Sequence, residues 1–172
     1  MYKFKPTIYR HDIFDIDYDA LYNKKIRLIA FDLDNTLGLY DDKECSDEVK
    51  KLIFKLKEKF KIVIITNGSK RRITPYKEAL GVEGFHMSFK PFTRGLKKAR
   101  ELFGVSKEEM AIVGDQLVTD ILAGNTFGIT TILVEPLGVK DLQVTKVNRI
   151  IENTIFKRYR KKNILERGKY YG

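Results

Sequence analysis

Short apolar runs alternate along the chain with segments in which apolar residues recur every three or four positions. The runs are rich in Ile, Val, Leu and Phe, and they lack the polar alternation of a strand that has one face in water. Such runs are typical of strands buried on both faces of a sheet. They predict five β-strands, at residues 26–33, 61–66, 85–89, 110–115 and 130–135.

Helical segments are predicted between these strands. Ser46 can accept a hydrogen bond from the first turn of a helix that begins with Asp47 and Glu48, two acids suited to the positive helix end. Apolar residues then recur at helical spacing as far as Phe60. The other predicted helices end near Leu80, run from about Thr93 to Phe103, and begin at Val118 to stop near Gly124.

Strands and helices that alternate in this way form a parallel sheet with helices on both faces. The sequence therefore predicts an α/β fold whose core spans about residues 26–135. Residues 1–25 and 136–172 are interpreted as additions packed on that core, so residues 1–172 are expected to form a single domain. A length of 172 residues is suited to one domain with a substantial core.

The composition favours a cytoplasmic protein that meets anionic partners. The N-terminus does not resemble a signal peptide, no apolar run is as long as a membrane span, and the one cysteine, Cys45, excludes an internal disulfide. The net charge is +10, and residues 148–172 alone carry +6. This excess predicts attraction to nucleic acid, to an anionic membrane surface or to phosphorylated substrates.

The last predicted helix combines an apolar face with a cluster of cations. The apolar face contains Val147, Ile150, Ile151, Ile155 and Tyr159. We expect this face to pack on the core. The cations from Lys157 to Lys162 either lie in water or contact anionic lipid at the inner face of the membrane, and both alternatives agree with the sequence.

Polar side chains that can bind a cation or a phosphoryl group stand at the ends of four predicted strands. They are Asp32 and Asp34 after the first strand, Thr66 at the end of the second, Lys90 after the third, and Asp115 and Asp120 after the fourth. Ligands of open α/β sheets bind beyond the carboxyl ends of the strands. We therefore expect these side chains to face a common site.

The residue types indicate phosphoryl chemistry at a metal ion. Clustered carboxylates repel one another unless a cation lies among them, and Mg²⁺ is held by carboxylates, water and substrate phosphate. The hydroxyl of Thr66 and the ammonium of Lys90 suit the remaining phosphate oxygens. A carboxylate beneath a bound phosphoryl group can attack phosphorus and form an aspartyl-phosphate.

Four motifs in chain order resemble those of the haloacid dehalogenase superfamily. They are FDLDNTL at residues 31–37 for the pattern hhDxDxT, IITN at 64–67, Lys90-Pro91, and GDQLVTD at 114–120 for the pattern GDxxxTD. The resemblance covers residues 26–135. It implies the three-layer Rossmann-like fold of that superfamily, with a central parallel sheet, and a phosphatase activity that depends on Mg²⁺.

The resemblance also implies roles for the four aspartates. Asp32 would be the nucleophile and a magnesium ligand, and Asp115 a further ligand. Asp34 would protonate the leaving alkoxide and then activate water, while its backbone carbonyl contacts the metal. Asp120 would support the site, either through water or by orienting Lys90. The acid at Asp34 favours ester hydrolysis over dehalogenation or transport, because one group must act first as an acid and then as a base.

The phosphate-binding residues implied by the resemblance are Thr66, Asn67 and Lys90. Lys90 would also shield Asp32 from the charge of the substrate. Lys70, which closely follows Thr66, is a second candidate for the phosphate contact. Lys90 is preferred because a proline follows it, as in the third motif of the superfamily.

The spacing of the motifs leaves no room for a cap domain. Asp32 and Thr66 are 34 residues apart, and Thr66 and Lys90 are 24 apart. An uncapped site admits a bulky substrate or a membrane-bound headgroup. Alternatively, a partner subunit or a flanking segment of the chain closes it.

Residues 131–152 resemble the YqeG-like subgroup of subfamily IIIA of the superfamily, which is related to phosphatidylglycerophosphate phosphatases. This resemblance suggests phosphatidylglycerophosphate as the substrate. Broad activity on small phosphomonoesters is the main alternative. A nucleic-acid- or ribosome-associated protein is a third interpretation, which the basic C-terminus permits although no RNA-binding motif is present.

Overall fold

The computed structural model describes residues 2–138 and 143–172, of which residues 143–146 are described by their backbone alone. Residues 139–142, which fall in the YqeG-like stretch 131–152, lie outside the described residues. Within the described ranges, no helix has both the length and the apolar character needed to cross a bilayer.

The described residues form a central sheet of six strands: β1 (Ile8–Arg10), β2 (Leu28–Phe31), β3 (Lys61–Ile65), β4 (Glu83–Phe85), β5 (Met110–Gly114) and β6 (Thr130–Val134). Their spatial order is β1–β6–β5–β2–β3–β4, and every pair is parallel. This arrangement confirms the predicted α/β fold. Strand β1 was not predicted, and its pairing with β6 makes part of residues 1–25 an edge of the sheet.

The prediction of a strand at residues 85–89 is wrong, because β4 ends at Phe85. Met87 and Phe89 adopt positive φ angles of 45° and 53°, which a strand does not allow. The backbone of Met87 and Ser88 instead donates to the carbonyls of Gly68 and Thr66, at 2.9 and 3.0 Å. This apolar segment is therefore a loop that folds over the end of β3.

Six α-helices are found in the described residues: α1 (Tyr18–Asn23), α2 (Asp47–Leu56), α3 (Lys70–Leu80), α4 (Arg94–Phe103), α5 (Leu122–Phe127) and α6 (Gln143–Arg160). Ser46 caps α2 as predicted, since its hydroxyl accepts from the backbone of Val49 at 3.3 Å. One turn of π-helix, Leu117–Ile121, precedes α5. The described residues between Asp32 and Lys90 form the helices α2 and α3 and the strands β3 and β4, and they contain no inserted cap domain.

The prediction that a short helix stops near Gly124 is also wrong, because α5 continues to Phe127 and ends at Gly128. Gly128 has a φ of 85°, the left-handed conformation common after the last helical residue. A Cβ on Gly124 would lie 2.4 Å from the Thr131 methyl group. Gly124 therefore allows close packing of α5 on the sheet and does not end the helix.

Apolar side chains fill both faces of the sheet. Along β2, Ile29 and Phe31 point to a cluster that includes residues of α2 and α3, whereas Leu28 and Ala30 point to one that includes residues of α4 and α5. This period of two places helices on both sides, as in a three-layer fold.

Helix α6 packs on the core through only part of its predicted apolar face. Phe156 and Tyr159 are buried in a small cluster beside β1 and β6. Val147, Ile150 and Ile151 are exposed. The expectation that the whole apolar face of this helix packs on the core is therefore wrong for its N-terminal half.

Candidate active site

Adjacent strands deliver the predicted site residues to one edge of the sheet. Strand β2 pairs in register with β3 on one side and with β5 on the other. These three strands end immediately before Asp32, Thr66 and Asp115. Lys90 reaches the same place from the loop that follows β4. The carboxyl edge of the sheet thus gathers an aspartate pair, a hydroxyl and an ammonium.

The ammonium of Lys90 lies at the centre of this group. Its Nζ is 2.5 Å from Asp32 Oδ1 and 2.6 Å from Asp120 Oδ1, and it donates to the Ile65 carbonyl at 2.7 Å. The Lys90 side chain is 3% exposed. Burial alone would lower the pKa of Lys90, but the two carboxylates outweigh burial and hold the pKa above its ordinary range. Lys90 is therefore a permanent cation inside the site.

Three buried carboxylates, those of Asp32, Asp115 and Asp120, face one another. Each offers an oxygen, and these oxygens lie within 4.8 Å of one another. Burial raises the pKa of Asp32 from 3.8 to about 7, although Lys90 opposes this, and burial also raises the pKa of Asp115. One ammonium, that of Lys90, faces the two carboxylates of Asp32 and Asp120, so negative charge remains at the cluster. A hard, oxygen-seeking divalent cation fits this donor set.

The close approach of Asp120 depends on the glycine that ends β5. A Cβ on Gly114 would lie 2.3 Å from the Asp120 carboxyl carbon. The second oxygen of Asp120 accepts a hydrogen bond from the backbone of Gln116 at 3.1 Å. Asp120 thus contacts Lys90 directly, and the expectation that it orients this lysine stays a prediction.

Asp34 lies apart from the three-carboxylate cluster and pairs with Arg72. The Arg72 Nε donates to Asp34 Oδ1 at 2.8 Å, and the rest of the guanidinium donates to the carbonyls of Leu39 and Asp42 at 2.8 and 2.7 Å. Arg72 therefore ties the segment after β2 to the acid that the resemblance makes the proton donor. Sequence reasoning missed Arg72, which stands in the first turn of α3.

Thr66 and Asn67 make hydrogen bonds that hold the loop after β3. The Thr66 hydroxyl accepts from the backbone of Gly68 at 3.0 Å. A Cβ on Gly68 would be 3.2 Å from that hydroxyl and 3.4 Å from Asp34 Oδ2, so the glycine leaves space between the two groups. The Asn67 amide donates to the Lys90 carbonyl at 3.0 Å and accepts from the Lys90 backbone at 2.7 Å. Asn67 thereby fixes the backbone of Lys90, and its predicted contact with phosphate stays a prediction.

Helix α6 adds two residues that sequence reasoning also missed. The Arg149 guanidinium contacts Asp115 Oδ2 and donates to the Asp115 carbonyl and to Glu152, both at 3.1 Å. Glu152, which is 1% exposed, accepts from the backbone of Leu117 at 2.5 Å. The pair therefore joins α6 to the loop of the fourth motif. Arg149 and Glu152 stand three positions apart among other polar and charged residues of α6, so the sequence offered no distinct signal for this pair.

The sequence is similar to those of known hydrolases. The sequence pattern of the haloacid dehalogenase-like hydrolases matches residues 37–128. The chain is 31% identical over 164 residues to the probable phosphatase YqeG of Bacillus subtilis, covering 95% of each chain. It is 25% identical over 170 residues to phosphatidylglycerophosphate phosphatase 1, chloroplastic/mitochondrial, of Arabidopsis thaliana, covering 92% of this chain. It spans about half of that relative, 49%.

Among solved structures, an uncharacterized protein from Listeria monocytogenes serotype 4b is similar, with a TM-score of 0.53 and 16% sequence identity. The similarity covers 69% of this chain and 84% of the Listeria chain. At this identity the likeness concerns the fold alone. It supports the three-layer arrangement around a parallel sheet.

Proposed function

Because the chain belongs to the haloacid dehalogenase-like hydrolases, we propose that it is a phosphatase that hydrolyses phosphomonoesters through an aspartyl-phosphate on Asp32. The observation that carries this proposal is the contact of Lys90 with both Asp32 and Asp120, beside Asp115. A buried cation next to a strand-end carboxylate suits a phosphoryl group bound above that carboxylate.

Mg²⁺ is the proposed cofactor. Asp32, Asp115 and the backbone carbonyl of Asp34 would hold it, with Asp120 behind them. When bound, the ion would neutralise charge on the phosphoryl oxygens and polarise the phosphorus. The mutual proximity of the three buried carboxylates, two of which share the ammonium of Lys90, supports a divalent cation at this place.

Asp32 and Asp34 act in both steps of the proposed reaction. An Asp32 oxygen forms a bond to phosphorus as the ester P–O bond breaks, and Asp34 gives its proton to the leaving alkoxide. Water then attacks the phosphorus while Asp34 takes one of its protons. The Asp32 O–P bond breaks, phosphate leaves, and both carboxyl groups return to their starting states. Thr66 and Lys90 bind the phosphoryl oxygens throughout.

For the substrate we propose a lipid phosphomonoester, phosphatidylglycerophosphate. The similarity to the phosphatidylglycerophosphate phosphatases supports this choice, and so do the net charge of +10 and the lack of a cap among the described residues near the site. In this proposal the protein is cytoplasmic and reaches the lipid headgroup at the inner face of the membrane. An open site would also admit small esters, so broad specificity is the second candidate.

Phosphate release should be measured with phosphatidylglycerophosphate in mixed micelles, p-nitrophenyl phosphate and nucleotides, each with and without Mg²⁺. We expect release that requires Mg²⁺, is highest for the lipid, and is absent from Asp32→Asn. Equal rates on the lipid and the small esters would exclude the lipid assignment. If no ester is cleaved while RNA or ribosomes bind in a salt-dependent manner, the phosphatase proposal is wrong.

A further inference from the structure

Several exposed apolar side chains of the described residues stand on the segments that build the candidate active site. Six of them, here called the apolar rim, are Leu39, Phe89, Phe92, Leu137, Val147 and Ile150. Phe92 is 73% exposed and Ile150 is 68% exposed, the largest values among the large apolar residues of the described chain. Clustered exposure of this kind marks an interaction surface more often than scattered exposure does.

Each part of the apolar rim is attached to a residue of the site. Phe89 and Phe92 flank Lys90, and the backbone of Phe92 donates to the Phe89 carbonyl at 2.9 Å, so the two lie on one tight turn. Ile150 follows Arg149, whose guanidinium contacts Asp115.

The two remaining sides of the apolar rim are also fixed to the site. The Leu39 carbonyl accepts from Arg72, the partner of Asp34, at 2.8 Å. The backbone of Leu137 donates to the Asn35 carbonyl at 3.0 Å, beside Asp34. Members of the apolar rim therefore lie on four segments that carry or contact residues of the site, and Val147 shares helix α6 with Ile150.

Cations stand beside the apolar rim. Helices α3 and α4 begin at this edge, and neither has an acid in its first turn. They carry instead the exposed cations Lys70, Arg71 and Arg94. A positive helix end normally favours acids, so this arrangement suits the attraction of anions from outside. Residues 41–44 of the segment after β2 read DDKE, three acids and one lysine, so the cationic side of the surface lies at α3 and α4.

We propose that the apolar rim and these cations form a docking surface for an anionic lipid bilayer, which seats the active site on the membrane. The proposal rests on the lipid substrate proposed above and adds the surface that reaches it. Aromatic and aliphatic side chains enter the boundary of the acyl chains, while the lysine and arginine side chains meet the lipid phosphates. A site without a cap would then be closed by the membrane itself.

The chain contains no tryptophan, so a single introduced one reports its own environment. We would compare Phe92→Trp with the control Phe54→Trp. Phe54 is 50% exposed and lies on α2, whose C-terminal end leads to the opposite edge of the sheet. Vesicles of equal parts phosphatidylcholine and phosphatidylglycerol should shift the Phe92→Trp emission to shorter wavelength and leave Phe54→Trp unchanged. Vesicles of phosphatidylcholine alone should have a weaker effect.

Co-flotation of the full chain with the same vesicles measures the partition. We expect Phe92→Ser and Ile150→Ser each to weaken it by roughly tenfold, the effect of withdrawing one large apolar side chain, and Phe54→Ser to leave it unchanged. Activity of the two rim variants on p-nitrophenyl phosphate should equal that of the wild type. Asp32→Asn should still bind vesicles, so loss of the phosphatase function and loss of docking give different results.

Three outcomes would overturn the proposal. The wild type could fail to float with the anionic vesicles, or the two tryptophan variants could shift equally. The rim variants could also convert a dimer into a monomer in sedimentation experiments without affecting vesicle binding, and the surface would then be the interface of a second copy of the chain.

Discussion

Replacing Lys90 by methionine tests how the charges of the site hold the fold together. Methionine is unbranched like lysine and one atom shorter, but it cannot donate. Carboxylates that are 7% and 0% exposed therefore lose their cation, and the Ile65 carbonyl loses its donor. Removal of one partner from a buried ion pair costs about 3–5 kcal/mol. For a chain of this length each kcal/mol lowers the Tm by about 2–4 °C, so we expect a loss of roughly 6–20 °C.

The assay is thermal and urea unfolding at neutral pH in the presence of a chelator. Lys97→Met, at an exposed position on α4, is the matched control and should change the free energy of unfolding by less than about 0.5 kcal/mol. The double variant Lys90→Met/Asp120→Asn also removes one buried carboxylate and should recover about 1–3 kcal/mol. A Lys90→Met protein as stable as the control, or a double variant no more stable than Lys90→Met, would refute the charge balance described here.

Three further changes test other parts of the structure. The pKa of Asp32 is raised to about 7, so the proton that it binds stabilises the fold below pH 4, and this stabilisation is lost as the pH rises through 7. Asp32→Asn has no such group. Its free energy of unfolding relative to that of the wild type should therefore increase by up to about 4 kcal/mol between pH 4 and 7, in urea unfolding without metal. Glu152→Ala should lose about 2–4 kcal/mol in the same assay, since a buried N–H of Leu117 and the Arg149 guanidinium lose their acceptor, and Glu152→Gln should recover part of this. Gly114→Ala should lose about 1–3 kcal/mol on thermal unfolding, because its methyl group displaces the Asp120 carboxyl; an unchanged Tm would contradict the packing at the end of β5.

The sheet and the edge that carries the candidate site could be predicted because both follow from local patterns. Continuous apolar runs identify strands buried on two faces, and the carboxyl ends of parallel strands must share an edge. The apolar runs that precede Asp32, Thr66 and Asp115 are therefore sufficient to predict that these residues lie together. Strand β1 was missed because three residues at a sheet edge produce too short a pattern.

The remaining features depend on contacts between distant parts of the chain. Arg149 reaches Asp115 across 34 positions, and Arg72 reaches Asp34 across 38. No local pattern reports such pairs. The segment at residues 85–89 has the composition of a strand, but backbone hydrogen bonds to the loop after β3 turn it into part of the site. The exposed half of α6 was predicted to be buried because periodicity shows that a face is apolar and does not show what covers it.

The proposed mechanism requires that Asp32 carries the phosphoryl group during turnover. Asp34→Asn should accumulate this intermediate, because it lacks the group proposed to activate water, and an acyl phosphate needs no proton donor for its leaving group. Mass spectrometry of the Asp34→Asn protein after incubation with Mg²⁺ and an acyl phosphate, followed by rapid digestion, should find one added phosphoryl group on the peptide that contains Asp32. An unmodified Asp32 peptide from a variant that still consumes the acyl phosphate would contradict the mechanism.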